Sequence, residues 1–258
     1  METEKEKQQQ RLMTALERGR LSDMRRLLAR GISPTFRQPI MKLFAHQLGN
    51  DVVSDFLEVL GENEPRRELE KIWTTPLIHA ENKDCKPEVV RLLLDAGADP
   101  NDCDGLGMFP LMYSRHVQIT RMLLEAGADI HAVEPQGRTA LFFSPRADIV
   151  KLLLEKGANP HVKEQDGATP LMYARTPAVA QALMAAGLDS GALTHDGRTV
   201  LHCATMFQYV SMVKFWLKQG INPGTPDDYG KTAYDYAEEL DDVELMILLK
   251  PYDETEWF

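Results

Sequence analysis

The sequence predicts an all-α solenoid of helix-turn-helix units joined by β-hairpin-like fingers, and three recurrences predict it. A short marker, Thr-[Pro/Ala/Val]-Leu, stands at Thr75, Thr139, Thr169 and Thr199, with Phe109 in the Thr place once and a Thr-Ala-Tyr variant at Thr232; the steps are 34, 30, 30, 30 and 33 residues. An apolar run follows each of the first five, at 92–94, 122–124, 152–154, 182–184 and 215–217. A glycine then closes the run, at Gly97, Gly127, Gly157, Gly187 and Gly220. A period of this length implies stacked units, because one unit alone cannot bury its leucine face.

Each unit reads as two short helices and a turn. The Thr75-Pro76 and Thr169-Pro170 pairs place a hydroxyl before a proline, whose missing N–H costs nothing in a first helical turn. The closing glycine supplies a left-handed helix end. The polar stretch up to the next marker, such as ANPHVKEQDGA (158–168), supplies the turn residues of a finger.

Four segments follow. Residues 1–34, with LMTALERGRLSDMRRLLARGISP (12–34), read as N-terminal capping helices. Residues 35–70 hold a degenerate second unit, IMKLFAHQLGNDVVSDFLEVLG (40–61), and the start of a charged connection, ENEPRRELEKI (62–72). Residues 71–225 are the central repeats. Residues 226–258 form a C-terminal capping repeat, KTAYDYAEELDDVELMILL (231–249), expected to turn an acidic face to water, and a tail, PYDETEWF (251–258), expected to fold back over the final leucines.

The pattern "DGxTPLxxA…VxxLLLxxGADxN", in register over residues 71–250, resembles the ankyrin repeat, in the trimmed form of bacterial ankyrin proteins. The resemblance implies a curved solenoid whose fingers and inner helices form a concave surface for binding other proteins. Repeats of this family run about 33 residues, whereas three intervals here are 30. Aligning markers and leucines puts the deletion between the two helices. Ser144-Pro145 and Thr176-Pro177 read as further cap-plus-proline pairs that stop the first helix early. Three residues are about 4.5 Å of helical rise, so a shallow trough is expected in the middle of the concave face. The His that follows the family's Thr-Pro-Leu, and supports the neighbouring finger, is replaced by Met112, Phe142 and Met172 and survives only as His202. Altered fingers are expected.

Positions that carry partner contacts in such proteins are Leu106, Met108, Gln136, Arg138, Gln165, Asp166, His195, Asp196, Arg198, Asp228 and Tyr229. Tyr113, Phe143 and Tyr173, thirty residues apart, form an aromatic ladder that serves either as interface anchors or as filling for the shortened helix. Arg138 and Arg198 recur on one face, and changing both to Glu is expected to weaken partner binding with little effect on stability.

Composition limits the remaining classes. A net charge of −10 disfavours duplex nucleic acid and suits a basic protein partner. Charge is lopsided: residues 1–40 carry nine Lys/Arg against five Asp/Glu, and residues 221–258 carry two against eleven. No run approaches the length of a membrane span or signal-peptide core. Three scattered cysteines, Cys85, Cys103 and Cys203, fit a reducing, cytoplasmic setting. His131 and His161 lack the further ligands of a recognised metal spacing, so neither metal nor cofactor is expected. No nucleophile or phosphate-loop motif is present, and Cys203 beside His202 reads as a small core residue.

The expected function is therefore non-enzymatic binding of one protein partner by a chain that is monomeric when unbound. Its concrete version is immunity against, or inhibition of, a cognate toxin or enzyme. The alternatives are an effector or scaffold that recruits a cellular protein and, from another class, an enzyme with an unrecognised site.

Overall fold

A computed structural model of the chain describes residues 3–39, 73–82 and 86–250. The degenerate second unit, the charged connection 62–72, Cys85 and the tail 251–258 lie outside the described residues. The chain divides into two compact units, Met1–Pro135 and Gln136–Phe258.

The first unit opens with α1 (Glu4–Glu17) and α2 (Leu21–Ala29), an antiparallel pair turned at Gly19. Helix α1 begins eight residues before the apolar spacing does. Thr3 explains this, because its hydroxyl accepts from the Glu6 N–H while the Glu6 carboxylate accepts from the Thr3 N–H, a reciprocal cap. A two-residue antiparallel bridge joins β1 (Gln38–Pro39) to β2 (Trp73–Thr74). Then follow α3 (Pro76–Asn82), α4 (Pro87–Asp95), α5 (Pro110–Tyr113) and α6 (Val117–Glu125).

The second unit holds α7 (Ala140–Phe143), α8 (Ala147–Glu155), a 3-10 turn (Pro170–Tyr173), α9 (Pro177–Ala185), α10 (Val200–Met206), α11 (Val210–Lys218), α12 (Ala233–Glu239) and α13 (Val243–Leu249). The second helices carry the leucine stripe into the core: Leu93 and Leu123 in one unit and Leu153, Leu183 and Trp216 in the other are fully buried. Each closing glycine takes a left-handed φ, as at Gly157 (96°), where the N–H bonds to the Leu154 carbonyl and that of Ala158 to Leu153.

The shortening falls where the sequence put it. The first helices at 110, 140 and 170 are four residues long, against seven for α3, α10 and α12. The caps are used differently from expectation. Thr75 and Thr176 accept from the backbone N–H groups of Ile78 and Val179. Thr169 makes no such bond, and Ser144 caps nothing: its hydroxyl donates back to the Ala140 carbonyl at 2.8 Å and closes α7 instead.

In the full-length repeat His202 Nδ1 accepts from the Thr199 N–H at 3.1 Å and lies 2.9 Å from its hydroxyl. Methionine at 172 and phenylalanine at 142 offer no nitrogen. Among the described residues, the buried hydroxyls of Thr139 and Thr169 have no hydrogen-bond partner.

Candidate functional site

The fingers keep their geometry without the missing histidines. In the second unit the tips form a backbone ladder: the Gln165 N–H donates to the Gln136 carbonyl (2.9 Å), His195 to Asp166 (2.8 Å) and Asp228 to Asp196 (2.9 Å). Glycine at the tip permits this approach, since a side chain on Gly167, already at φ 79°, would meet the His195 ring at 2.7 Å.

At three fingers a buried carboxylate bonds to a tyrosine nine residues later on the following inner turn. Tyr113 donates its hydroxyl to Asp104, Tyr173 to Glu164 and Tyr236 to Asp227, each at 2.6 Å. Asp104 also accepts from the N–H groups of Leu106 and Met108, and Asp227 from those of Tyr229 and Lys231, so the carboxylate folds the tip while the phenol ties it to the inner helix. Burial, then the bond to Asp104 or Glu164, pushes the Tyr113 and Tyr173 hydroxyls above the usual phenol range and keeps them donors. Burial alone would raise Asp227, but bonds from Tyr236 and from the Lys231 and Tyr229 N–H groups hold it below the usual carboxylate range.

Arg138 and Arg198 join consecutive repeats. Arg138 lies 3.6 Å from Glu164, over the rings of Phe143 (5.1 Å) and Tyr173 (5.6 Å). Arg198 donates to the Tyr236 hydroxyl (3.2 Å), pairs with Asp227 (3.8 Å) and Asp196 (3.1 Å), and sits over Tyr229 and Tyr236. Burial would lower Arg198, yet the bond to Tyr236 and the nearby acids raise it above its ordinary value. The expectation of little effect on stability took these arginines for solvated charge, whereas both hold contacts between consecutive repeats.

Within the second unit the structure gathers Gln136, Arg138, Phe143, Gln165, Asp166, Tyr173, His195, Asp196, Arg198, Asp228 and Tyr229 along the fingers and first helices. Gln165, Asp166, His195 and Asp228 are exposed at the tips, and Tyr229 is 67% exposed. Leu106, Met108 and Tyr113 belong to the first unit, where Leu106 is exposed and the other two are half-buried.

Sequence reasoning missed the apolar centre of this surface. The full-length α10 overruns its four-residue neighbour and presents Met206 and Phe207, both more than a third exposed. Phe207 lies 5.2 Å from the Tyr173 ring and 5.5 Å from that of Tyr209, and Tyr173 meets Phe142 edge-on at 5.5 Å. The result is a step: Met206 and Phe207 form the riser, Tyr173, Phe143 and Arg138 the tread. Its signal was present in the length difference between neighbouring repeats, which predicts that the longer helix must expose its last turn.

Other chemistry is poorly served. His202 is fully engaged: Nδ1 accepts from Thr199, so Nε2 carries the proton and donates to the Lys231 carbonyl at 3.1 Å. It has no nitrogen left to activate Cys203, whose buried thiol is pushed up to about 12 by desolvation. His131 and His161 are exposed and donate their main-chain N–H groups to Asp129 and Asn159. Among the described residues no three His, Cys, Asp or Glu side chains gather as a metal site, and no helix is long and apolar enough to cross a membrane.

Stacked helix pairs with laddered fingers define a repeat protein of the kind used for protein recognition. The family model for ankyrin repeats (3 copies) matches residues 5–134, 113–176 and 175–255, and the chain belongs to the ankyrin repeat family. Among solved structures it is similar to the ankyrin repeat domain of Bcl-3, described as a unique member of the IkappaB protein family. The two are 23% identical with a TM-score of 0.51, and the match covers 93% of this chain and 97% of that one. That likeness shows the fold. No curated protein matches this chain.

Proposed function

We propose that the chain is a non-enzymatic binding module for one basic protein partner, held on the finger and inner-helix surface of the second unit. The observation that carries this reading is the Met206–Phe207 step beside Tyr173 and Phe143. It is an exposed aromatic and apolar centre rimmed by polar finger tips, the arrangement that supplies most of the energy in protein interfaces. The net charge of −10 favours a partner of opposite sign and speeds its encounter. The His202–Cys203 geometry supports a role without turnover. Binding by a cytoplasmic monomer that blocks a toxin or enzyme is the specific form of the proposal.

The test is affinity capture on the full chain followed by an activity titration of the captured protein. A basic partner that loses its activity at one equivalent, and whose affinity falls at least about tenfold for Phe207→Ala combined with Met206→Glu, is the expected result. A partner that stays active when bound marks a scaffold rather than an inhibitor. Undiminished affinity of the double variant removes the step as the site.

A further inference from the structure

The first helix pair carries a surplus of positive charge in an acidic chain. Residues 11–30 hold six arginines, no lysine and two acids, against a net charge of −10 for the whole sequence. Helix α1 sets Arg11, Thr14, Ala15 and Arg18 on one face, at spacings of three, four and seven residues. Thr14 and Ala15 are too short to fill the space between their two long neighbours, so a hollow of about 170 Å³ remains where α1 faces α2. Arg20, Asp23, Arg26 and Leu27 close its other wall. The floor is apolar, because Ala15 and Leu27 are buried, and the four arginines are exposed around the rim.

One acid serves these four guanidinium groups. Asp23 lies 3.3 Å from Arg26 and 3.9 Å from Arg20, whereas the side chains of Arg11 and Arg18 meet no acid among the described residues. Like charges therefore face one another across the hollow. An anion seated between them turns that repulsion into attraction.

We propose that the hollow is a binding site for a phosphoryl group, carried as a monoester on a soluble small molecule or on a lipid headgroup. Guanidinium suits this group, since its planar fork gives paired N–H bonds to phosphate oxygens and it sheds water more readily than an ammonium. A phosphate monoester brings close to two negative charges and three acceptor oxygens. A single carboxylate would leave most of the surplus uncompensated. The volume of about 170 Å³ matches about five waters at ~30 Å³ each, which admits the group and the first carbons of its ester, set over Ala15 and Leu27. The hollow lies in the first unit, and its ligand is independent of the protein partner proposed for the second.

Calorimetric titration of the full chain with phenyl phosphate at low salt, beside benzoate, tests the site. The expected result is saturable one-to-one binding of phenyl phosphate that weakens at least about tenfold in Arg11→Gln combined with Arg18→Gln. Asp23→Asn, which removes the competing carboxylate, should tighten it. Arg25→Gln combined with Arg30→Gln takes the same charge from exposed positions on and just after α2 outside the hollow, and should change the affinity less than about twofold. Circular dichroism should be the same for all four proteins. Absence of saturable binding overturns the proposal, as does an equal loss in the two double variants, which marks diffuse attraction. Benzoate bound as tightly as phenyl phosphate overturns the choice of a phosphoryl group. Phosphatidylcholine vesicles with and without a phosphatidylinositol phosphate separate the two sources. Capture by the phosphorylated vesicles alone, lost in the Arg11 and Arg18 double variant, assigns a lipid headgroup; phenyl phosphate binding without vesicle capture assigns a soluble monoester.

Discussion

Tyr173 donates its phenolic hydrogen to Glu164 across 2.6 Å, joining the shortened inner turn of a repeat to its own finger. The bond recurs at Tyr113–Asp104 and Tyr236–Asp227, the last in a finger that His202 also holds through the Lys231 carbonyl. Tyr173→Phe removes the donor and leaves a carboxylate with 6% side-chain exposure facing Arg138 at 3.6 Å. The loss should cost about 1–3 kcal/mol, read as a lower urea midpoint with an unchanged slope. A midpoint equal to the parent's would show that the tyrosine fills volume and nothing more.

Charge reversal at Arg198 should destabilise the chain, against the reading from sequence. The Asp227 side chain is fully buried and the Arg198 side chain is 24% exposed, so Arg198→Glu sets two acids together beside the Tyr236 hydroxyl. A loss on the order of 2–4 kcal/mol is expected. Arg198→Met, which keeps the stem over the ring, should lose less than the reversal. Chemical denaturation of the two variants in parallel checks the order.

The repeat, its period and the site of its deletion were legible because caps, leucines and glycines are local signals that recur in register. The Arg138–Glu164 and Arg198–Asp227 contacts were not, because each joins residues of consecutive repeats and the arginines alone look like surface charge. The Asp104–Tyr113 interval of nine residues recurs at 164 and 227 and was open to discovery, yet nothing in one repeat shows that the acid points inward. Ser144 was misread because a hydroxyl before a helix has two uses, a forward cap or a bond to the preceding turn, whereas the buried Thr169 hydroxyl makes neither. Side-chain packing decides between them. The Met206–Phe207 step follows from unequal neighbours, so it appears only when adjacent repeats are compared.

Leu153 is completely buried in α8, which packs against α9. Leu153→Ala should cost about 2–5 kcal/mol, the spread reflecting how far the neighbouring helices close on the cavity. Equilibrium unfolding measures it. A cost under 1 kcal/mol would mean that the stack is loose at this layer.

Gln208 stands at φ 56° in the turn between α10 and α11, at the place that Gly19 fills with φ 61° between α1 and α2. A residue with a Cβ is strained in that region by about 1–2 kcal/mol. Glycine relieves the strain, although the freer unfolded chain takes back part of the gain. Gln208→Gly should therefore stabilise by about 0.5–1 kcal/mol. Asp241→Gly, in the matching turn at φ 52°, should gain less, because aspartate tolerates the left-handed region better. A rise in thermal midpoint that is larger for Gln208→Gly tests both.

His202 should make the chain acid-sensitive in the range where histidines titrate. Desolvation holds its folded pKa below the ordinary value of 6.5, opposed in part by the bond to the Lys231 carbonyl and by Asp227. The unfolded chain therefore binds a proton that the folded chain refuses. Stability from this group is full above about pH 6.5 and falls as pH drops from there through the folded pKa, since the slope follows the excess of protons on the unfolded state. Asp227 and Asp235, both held below the usual carboxylate range, add a second loss only near and below about pH 4. Protonation at Nδ1 would also turn the Thr199 N–H acceptor into a donor and break the cap of α10. Thermal midpoints from pH 7.5 to 5 should thus decline in the parent. In His202→Gln, which offers an amide that does not titrate, the curve should start lower and stay flatter across that window. Parallel curves for the two proteins would place the acid sensitivity on some other group.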